Sequence, residues 1–259
     1  MAPGFLDDVT PVVLTKDEEP NIERTLGQLR WAGEVVVVDS FSRDATVTIA
    51  RRFANVRVVE HAFDDHAAQW SFAMQEARTA WVLALDADYI VSPEFVAEIS
   101  ALAPPADVDA YEACFRYAVR GHVLHASLYP PRPVLLRRTN CRFFMDGHTH
   151  RQQIEGRILR LRESIVHDDR KSFGDFVARQ RRYMRREAAK IRSGSRDRLS
   201  DRIRALRVVA PFAVVLHSLL YKRLFLDGWP GLLYVWERFV AELILSRELF
   251  RPPDAAEKS

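Results

Sequence analysis

The chain has 259 residues, 48% of them apolar, which suits one large α/β domain with an appendage and leaves no low-complexity tract that would argue for disorder. Its formal net charge of +3 hides an asymmetry: Arg170 to Arg207 holds fourteen Lys/Arg against four Asp/Glu, so that segment carries +10 and the remainder −7. The two cysteines, Cys114 and Cys141, lack metal-ligand spacing and fit a reducing compartment. The first ten residues carry Asp7 and Asp8 and no apolar stretch, so they do not read as a secretory leader, and no apolar run reaches the ~20 residues of a spanning helix.

In chain order, Pro11 to Leu14 is a short apolar strand. Glu18-Glu19-Pro20-Asn21 then opens a helix in which Ile22, Leu26 and Leu29 recur at helical spacing. Glu34 to Asp39 is a run of four valines ending in an acid, the pattern of a strand buried on both faces of a parallel sheet. A second helix capped by Asp44, a strand over Val56–Val59 and a helix over Asp64–Arg78 follow. A strand over Trp81–Leu85 then ends in Asp86-Ala87-Asp88, and Ser92-Pro93 opens another helix. Strand–helix alternation of this kind predicts a right-handed, mostly parallel, doubly wound sheet, with ligands beyond the carboxyl ends of the strands. Thr15, Asp39 and Asp86/Asp88 close three of those strands and should share one rim.

From Asp107 to Asp168 shorter runs (Ala110–Arg116, His122–Leu128, Val134–Arg138, Ile158–Ile165) read as antiparallel additions to the sheet. Beyond them Phe173–Ile191 is a long basic helix, and Val208–Leu220 is an apolar stretch broken by Pro211. Gly228-Trp229-Pro230-Gly231 reads as a turn before a last amphipathic helix over Leu232–Phe250. The expected division is a catalytic α/β domain over 1–168 and a basic, amphipathic helical region over 169–259.

Four groups carry chemistry. Two carboxylates at spacing two past a buried strand, Asp86 and Asp88, can grip Mg²⁺ or Mn²⁺, which prefer oxygen ligands and keep water and phosphate in their shell. Asp-x-Asp is common by chance; its place at a strand end favours the ligand assignment. Asp39 can accept from a base imide or a ribose hydroxyl, while Ser42 and Asp44 cap the helix that follows. Thr15 and Glu18 sit where a base or ribose contact would fall, and Glu19 serves equally as first-turn acid. In Asp146-Gly147-His148-Thr149-His150, Asp146 or His150 can take a proton from a hydroxyl. His167, after Ile165-Val166, either completes the metal site or is an ordinary strand-end histidine. The basic helix has no interleaved aromatics beyond Phe173, Phe176 and Tyr183 and no recognised nucleic-acid module around it, so its charge, beside apolar helices, suits anionic lipid headgroups better than nucleic acid.

Together these residues resemble family 2 glycosyltransferases of the GT-A fold, most of all the bacterial branch that adds a hexose, often glucose, to lipopolysaccharide core or a related envelope glycan. The resemblance spans roughly Val12 to His167. It rests on Thr15-Lys16-Asp17-Glu18-Glu19-Pro20-Asn21-Ile22, on Glu34 to Thr46, and on Trp81-Val82-Leu83-Ala84-Leu85-Asp86-Ala87-Asp88-Tyr89. Gln69-Trp70-Ser71 is similar to the family's Gln-Arg-Asn, which adds Gln69 to the sugar-nucleotide contacts. Two positions depart from the pattern: Tyr89 and Arg151 stand where the family usually has Glu.

What the resemblance implies is an inverting transfer from a nucleotide-sugar, a UDP-sugar for preference, to a lipid-linked acceptor. Asp88 and Asp86 would hold the metal, Thr15, Glu18, Asp39, Ser42 and Gln69 the donor, and Asp146 or His150 would act as base. The setting would be the cytoplasmic face of the cell membrane, with the chain attached peripherally to an anionic surface. Two rivals remain at this stage. A nucleotidyltransferase would normally show a Gly-rich basic loop where Thr15-Lys16-Asp17-Glu18 is acidic, and a degenerate, membrane-attached scaffold would tolerate Tyr89 and Arg151.

Overall fold

The run Val35–Val38 forms the strand its composition demands, and all four valines are fully buried, contributing on the order of 1.5–3 kcal/mol each. The computed structural model describes residues 4–146, 149–193, 203, 204, 206 and 208–251. Their division is into two units. Residues of Met1–Val123, Tyr129–Met145 and His150–Arg170 form the first, and those of Leu124–Leu128, Asp146–Thr149 and Lys171–Ser259 the second.

In the first unit, β1 (Val9–Thr15), β2 (Val35–Asp39), β3 (Val56–Glu60) and β4 (Trp81–Asp86) are parallel. They alternate with α1 (Ile22–Gly27), α2 (Thr46–Ala50) and α3 (His66–Glu76). After β5 (Tyr89–Ile90) comes α4 (Pro93–Ser100), capped by Ser92, whose hydroxyl accepts from the Phe95 N–H. The sheet continues with β6 (Val108–Val119), β7 (His122–Val123), β8 (Arg132–Arg137) and β11 (Arg157–His167), giving the order β3-β2-β1-β4-β8-β6-β11-β5, with β7 beside β6. Register places Thr15 opposite Asp39 and Leu14 opposite Asp86, so the polar strand ends share one rim as the alternation requires. One cluster under the sheet gathers Leu26, Leu29, Leu83, Phe95 and Ile165; another, around Trp70, Met74 and Leu136, covers the opposite face.

Several expectations need correction. The strand β8 is antiparallel to β4 and β6, but β11 runs parallel to β6. A separate hairpin of β9 (Cys141–Asp146) and β10 (Thr149–Ile154) intervenes, so β11 begins beside the start of β6, Arg157 against Val108. Only His122–Val123 of the expected strand over His122–Leu128 pairs; the residues after it belong to the second unit.

The second unit contains α5 (Phe173–Arg192), α6 (Val209–Leu216, extended by a π turn over His217–Tyr221) and α7 (Gly228–Phe250). Pro211 does not break α6, and Gly228–Gly231 is not a turn outside a helix. Pro211 and Pro230 occupy first helical turns, where the missing N–H has no partner to lose. Met184, Ala188 and Ile191 of α5 pack on Leu245 and Leu249 of α7. Val235 of the last helix is buried inside this unit.

Candidate active site

The loops after β1 and β2 are tied to each other by polar side chains. Ser42 donates from its backbone N–H to Asp39 Oδ2 (2.7 Å) and from its hydroxyl to Asp39 Oδ1 (2.5 Å), and its Oγ accepts from the Asp17 N–H (2.8 Å). The Thr46 hydroxyl accepts from the Glu18 N–H (2.8 Å), Asp44 accepts from the Glu19 N–H (3.0 Å), and Glu19 accepts in turn from the Ala45 N–H (3.0 Å). Asp17 and Phe41 take positive φ here, 51° and 58°, uncommon for residues with a Cβ and a mark of a tightly determined loop. Burial opposes ionisation of Asp44, yet the Thr46 hydroxyl and surrounding backbone N–H donors hold its carboxyl below the ordinary value. Glu19 is therefore a loop staple, while Thr15 Oγ1 is buried with no partner at the head of the rim.

The other expected donor contacts are more engaged. Asp39 is buried, both oxygens receiving Ser42, so any nucleoside would use its remaining lone pairs. Gln69 is buried too, its Oε1 on His61 Nδ1 (2.8 Å) and its Nε2 donating to Ser40 Oγ (3.1 Å), which makes it a wall of the site. Glu18 accepts from Asn21 Nδ2 (2.7 Å).

Asp86 ends β4, and Asp88 lies in the turn that follows it. Burial pushes the Asp86 carboxyl up, and the neighbouring Asp88 pushes it the same way. Asp88 Oδ2 meets His167 Nε2 at 3.0 Å, and His167 sits across from Tyr89 where β11 pairs with β5. Burial disfavours the imidazolium of His167, but the adjacent Asp88 outweighs it and the pKa is raised. Asp88 Oδ1 and His167 Nδ1 are both buried without partners. An orphaned carboxylate oxygen beside a second acid fits a hard divalent cation. Among the described residues no three His, Cys, Asp or Glu side chains form a metal cage, so such an ion would take further ligands from water and phosphate. His167, expected as a third ligand, turns its Nε2 to Asp88 and positions that carboxylate.

Tyr89, one of the two departures, builds a chain of donors onto Asp86. Arg132 Nη1 donates to the Tyr129 hydroxyl (3.1 Å), which lies 2.8 Å from that of Tyr89, and Tyr89 hydrogen-bonds the Asp86 carboxylate. A carboxylate only accepts, so the chain runs from guanidinium to Asp86. Arg132 and Tyr129 were not singled out from the sequence; they lie forty-three and forty positions beyond Tyr89, a separation that carries no spacing signal. A small, half-open pocket lies here, lined by Trp70, Asp86, Tyr89, Phe115, Arg132 and Gln152. Its aromatic walls and few polar groups suit one edge of a polar ligand.

The expected bases are less fully described. Asp146 ends β9 and His150 is the second residue of β10; their side chains lie outside the described residues, as do Gly147 and His148 altogether. Arg151 is exposed on β10. Cys114 and Cys141 are free thiols, and burial pushes Cys141 up to about 12.

Residues 11–137 match the family model described as Glycosyl transferase family 2. An uncharacterized glycosyltransferase of Rickettsia bellii is 33% identical over 125 residues, 48% of this chain and 41% of that protein. One of Rickettsia conorii is 30% identical over 133 residues, 51% of this chain and 46% of that protein. These alignments span less than half the length of the relatives they match. Among solved structures, Staphylococcus aureus TarS 1-349 in complex with UDP is 17% identical, with a TM-score of 0.49 over 93% of this chain and 90% of that one.

Proposed function

We propose that this chain, whose residues 11–137 match the model of Glycosyl transferase family 2, moves a hexose, glucose for preference, from a UDP-sugar to a lipid-linked envelope glycan such as lipopolysaccharide core or exopolysaccharide. The observation that carries this reading is the convergence, on one rim, of the Thr15 and Asp39 strand ends with Asp86, the orphaned Asp88 Oδ1 and the half-buried cation Arg132. The acids suit a cation, the cation suits a diphosphate, and the aromatic pocket beside them suits a sugar ring.

Asp88 and Asp86 would hold Mg²⁺ or Mn²⁺, which when bound supplies positive charge to offset the departing nucleoside diphosphate. Thr15 Oγ1, Glu18, Asp39 and Ser42 line the nucleoside side of the rim, and the stapled loops hold them there without reorganisation. His167 orients Asp88; Arg132, through Tyr129 and Tyr89, orients Asp86 and keeps a donor on it. The acceptor oxygen attacks the anomeric carbon as the bond to the diphosphate oxygen breaks, giving inversion. Its proton passes to Asp146 or His150; exposed Arg151 stays protonated and cannot take it. The site lies on the cytoplasmic side, where nucleotide-sugars are made.

The test is incorporation of label from UDP-glucose into lipid-extractable glycan by the purified full chain with Mn²⁺. Label that enters no lipid-linked or envelope glycan, with UDP release intact, would exclude the acceptor and keep the transferase.

A further inference from the structure

Of the twenty exposed large apolar side chains among the described residues, fifteen lie in the second unit, and they are organised. The helical stretches Val209–Tyr221 and Leu224–Phe250 meet at a bend of 74°. Around that bend Leu220, Tyr221, Phe225, Leu226, Trp229 and Leu232 are each 51–74% exposed. The exposed face continues up α6 through Leu216, Phe212 and Val209 and along α7 through Trp236 and Leu243, at spacings of three, four and seven that keep it on one side of each helix.

The elbow is built. Arg223 (φ 52°) and Gly228 (φ 62°) take left-handed backbone to make the corner. Gly231 lets α7 close onto it, since a Cβ there would stand 1.9 Å from the Leu224 carbonyl oxygen. His125 clasps the corner from the segment before β8: its N–H donates to Asp227 Oδ1 (3.1 Å), and its ring nitrogens meet Asp227 Oδ2 (2.7 Å) and the Lys222 carbonyl (2.9 Å). The Tyr234 hydroxyl accepts from the Leu128 N–H (3.2 Å). A corner held this firmly keeps six large apolar groups in water, which a monomeric soluble surface rarely does.

The charges of the same unit point to the occupant. Three of its acids are withdrawn inward: Glu187 and Glu242 onto Arg204, and Glu248 onto Arg251. The outward cations stay outward, Arg181, Arg182, Arg185 and Arg186 on α5 and Arg223 at the elbow. No single described helix is long and apolar enough to cross a bilayer. We infer that the elbow Leu220–Leu232 is a wedge that inserts into one leaflet of an anionic lipid membrane, with α6 and α7 lying in the interface. Trp229 and Tyr221 sit at headgroup depth, and the Lys222 and Arg223 side chains reach back to the phosphates. The wedge replaces the outward stripe expected on Leu232–Phe250 and does not depend on which sugar or acceptor the first unit uses.

The experiment is flotation of the full chain with phosphatidylglycerol-rich and with phosphatidylcholine-only vesicles, beside the double variant Phe225→Glu/Trp229→Glu. Both side chains are exposed, so circular dichroism and UDP binding should be unchanged. The wild type should float with the anionic vesicles, and the variant's partition should fall at least about tenfold. Trp fluorescence should be quenched by lipid brominated at shallow acyl positions, and Trp229→Phe/Trp236→Phe, which removes both exposed indoles of that face, should remove most of that quenching. Wild type that stays at the bottom with both vesicle types overturns the inference, as does a variant that floats like the wild type. If the wild type is a lipid-free dimer that the variant converts to a monomer while neither floats, the elbow binds a second copy and the inference also fails.

Discussion

Replacing Asp88 by Asn separates what this side chain does for the fold from what it does for transfer. The amide can turn its oxygen to His167 Nε2 and keep that 3.0 Å contact. Its NH₂ then occupies the place of the orphaned Oδ1 and presents donors where a cation would sit. The lost stability is the difference between a charge-assisted and a neutral hydrogen bond, about 1 kcal/mol, or roughly 2–4 °C in Tm for a chain of this size. The lost transition-state stabilisation is far larger, about 3–4 kcal/mol, a 10²–10³-fold fall in kcat. The assay is UDP release from a UDP-hexose over a Mn²⁺ titration, with a thermal melt of the same preparation. A kcat within about threefold of wild type at saturating Mn²⁺ would refute the ligand assignment, and a collapsed melt would refute the claim that Asp88 is dispensable for the fold.

Tyr129→Phe cuts the donor chain between Arg132 and Tyr89. By analogy with other groups that orient a ligand, it should raise the Mn²⁺ needed for half-maximal rate roughly tenfold, and an unchanged Mn²⁺ curve would show that the chain does not reach Asp86. Gly231→Ala would ordinarily favour a helix by about 1 kcal/mol. Against the Leu224 carbonyl it should instead destabilise the second unit by about 2 kcal/mol or more, so urea denaturation showing a gain would contradict the described elbow. At pH 8 the Cys141 thiol, pushed up to about 12 by burial, should resist Ellman's reagent until the protein is denatured; fast native labelling at Cys141 would place it at the surface.

The part of the architecture that the sequence made legible is the part built from strands buried on both faces. Val35–Val38 belongs inside a parallel sheet, and once three such strands and the half-buried edge strand Val56–Glu60 alternate with helices, the rim holding Thr15, Asp39 and Asp86 follows from topology. The hairpin of β9 and β10 was illegible because Thr149–Ile154 is too polar to announce a strand. The parallel pairing of β11 with β6 was hidden by that same unseen hairpin, which reverses the direction of approach. Pro211 and Pro230 misled because a proline signals a break unless the helix start is known to lie just before it. Within the site, the positions of Asp86 and Asp88 could be read, but not the donors around them. The contacts of Gln69, His167 and Arg132 depend on neighbours brought together from residues 40 to 167, which no local spacing encodes.

The central claim, that the rim and its acids process a nucleotide-sugar, is tested most directly by offering the purified full chain a panel of UDP- and GDP-hexoses with Mn²⁺ and measuring free nucleoside diphosphate. The account predicts slow release from a UDP-hexose that is abolished by EDTA, restored by Mn²⁺ and lost in Asp88→Asn. Release no faster than the buffer blank from every donor, with the protein folded and Mn²⁺ saturating, would contradict it.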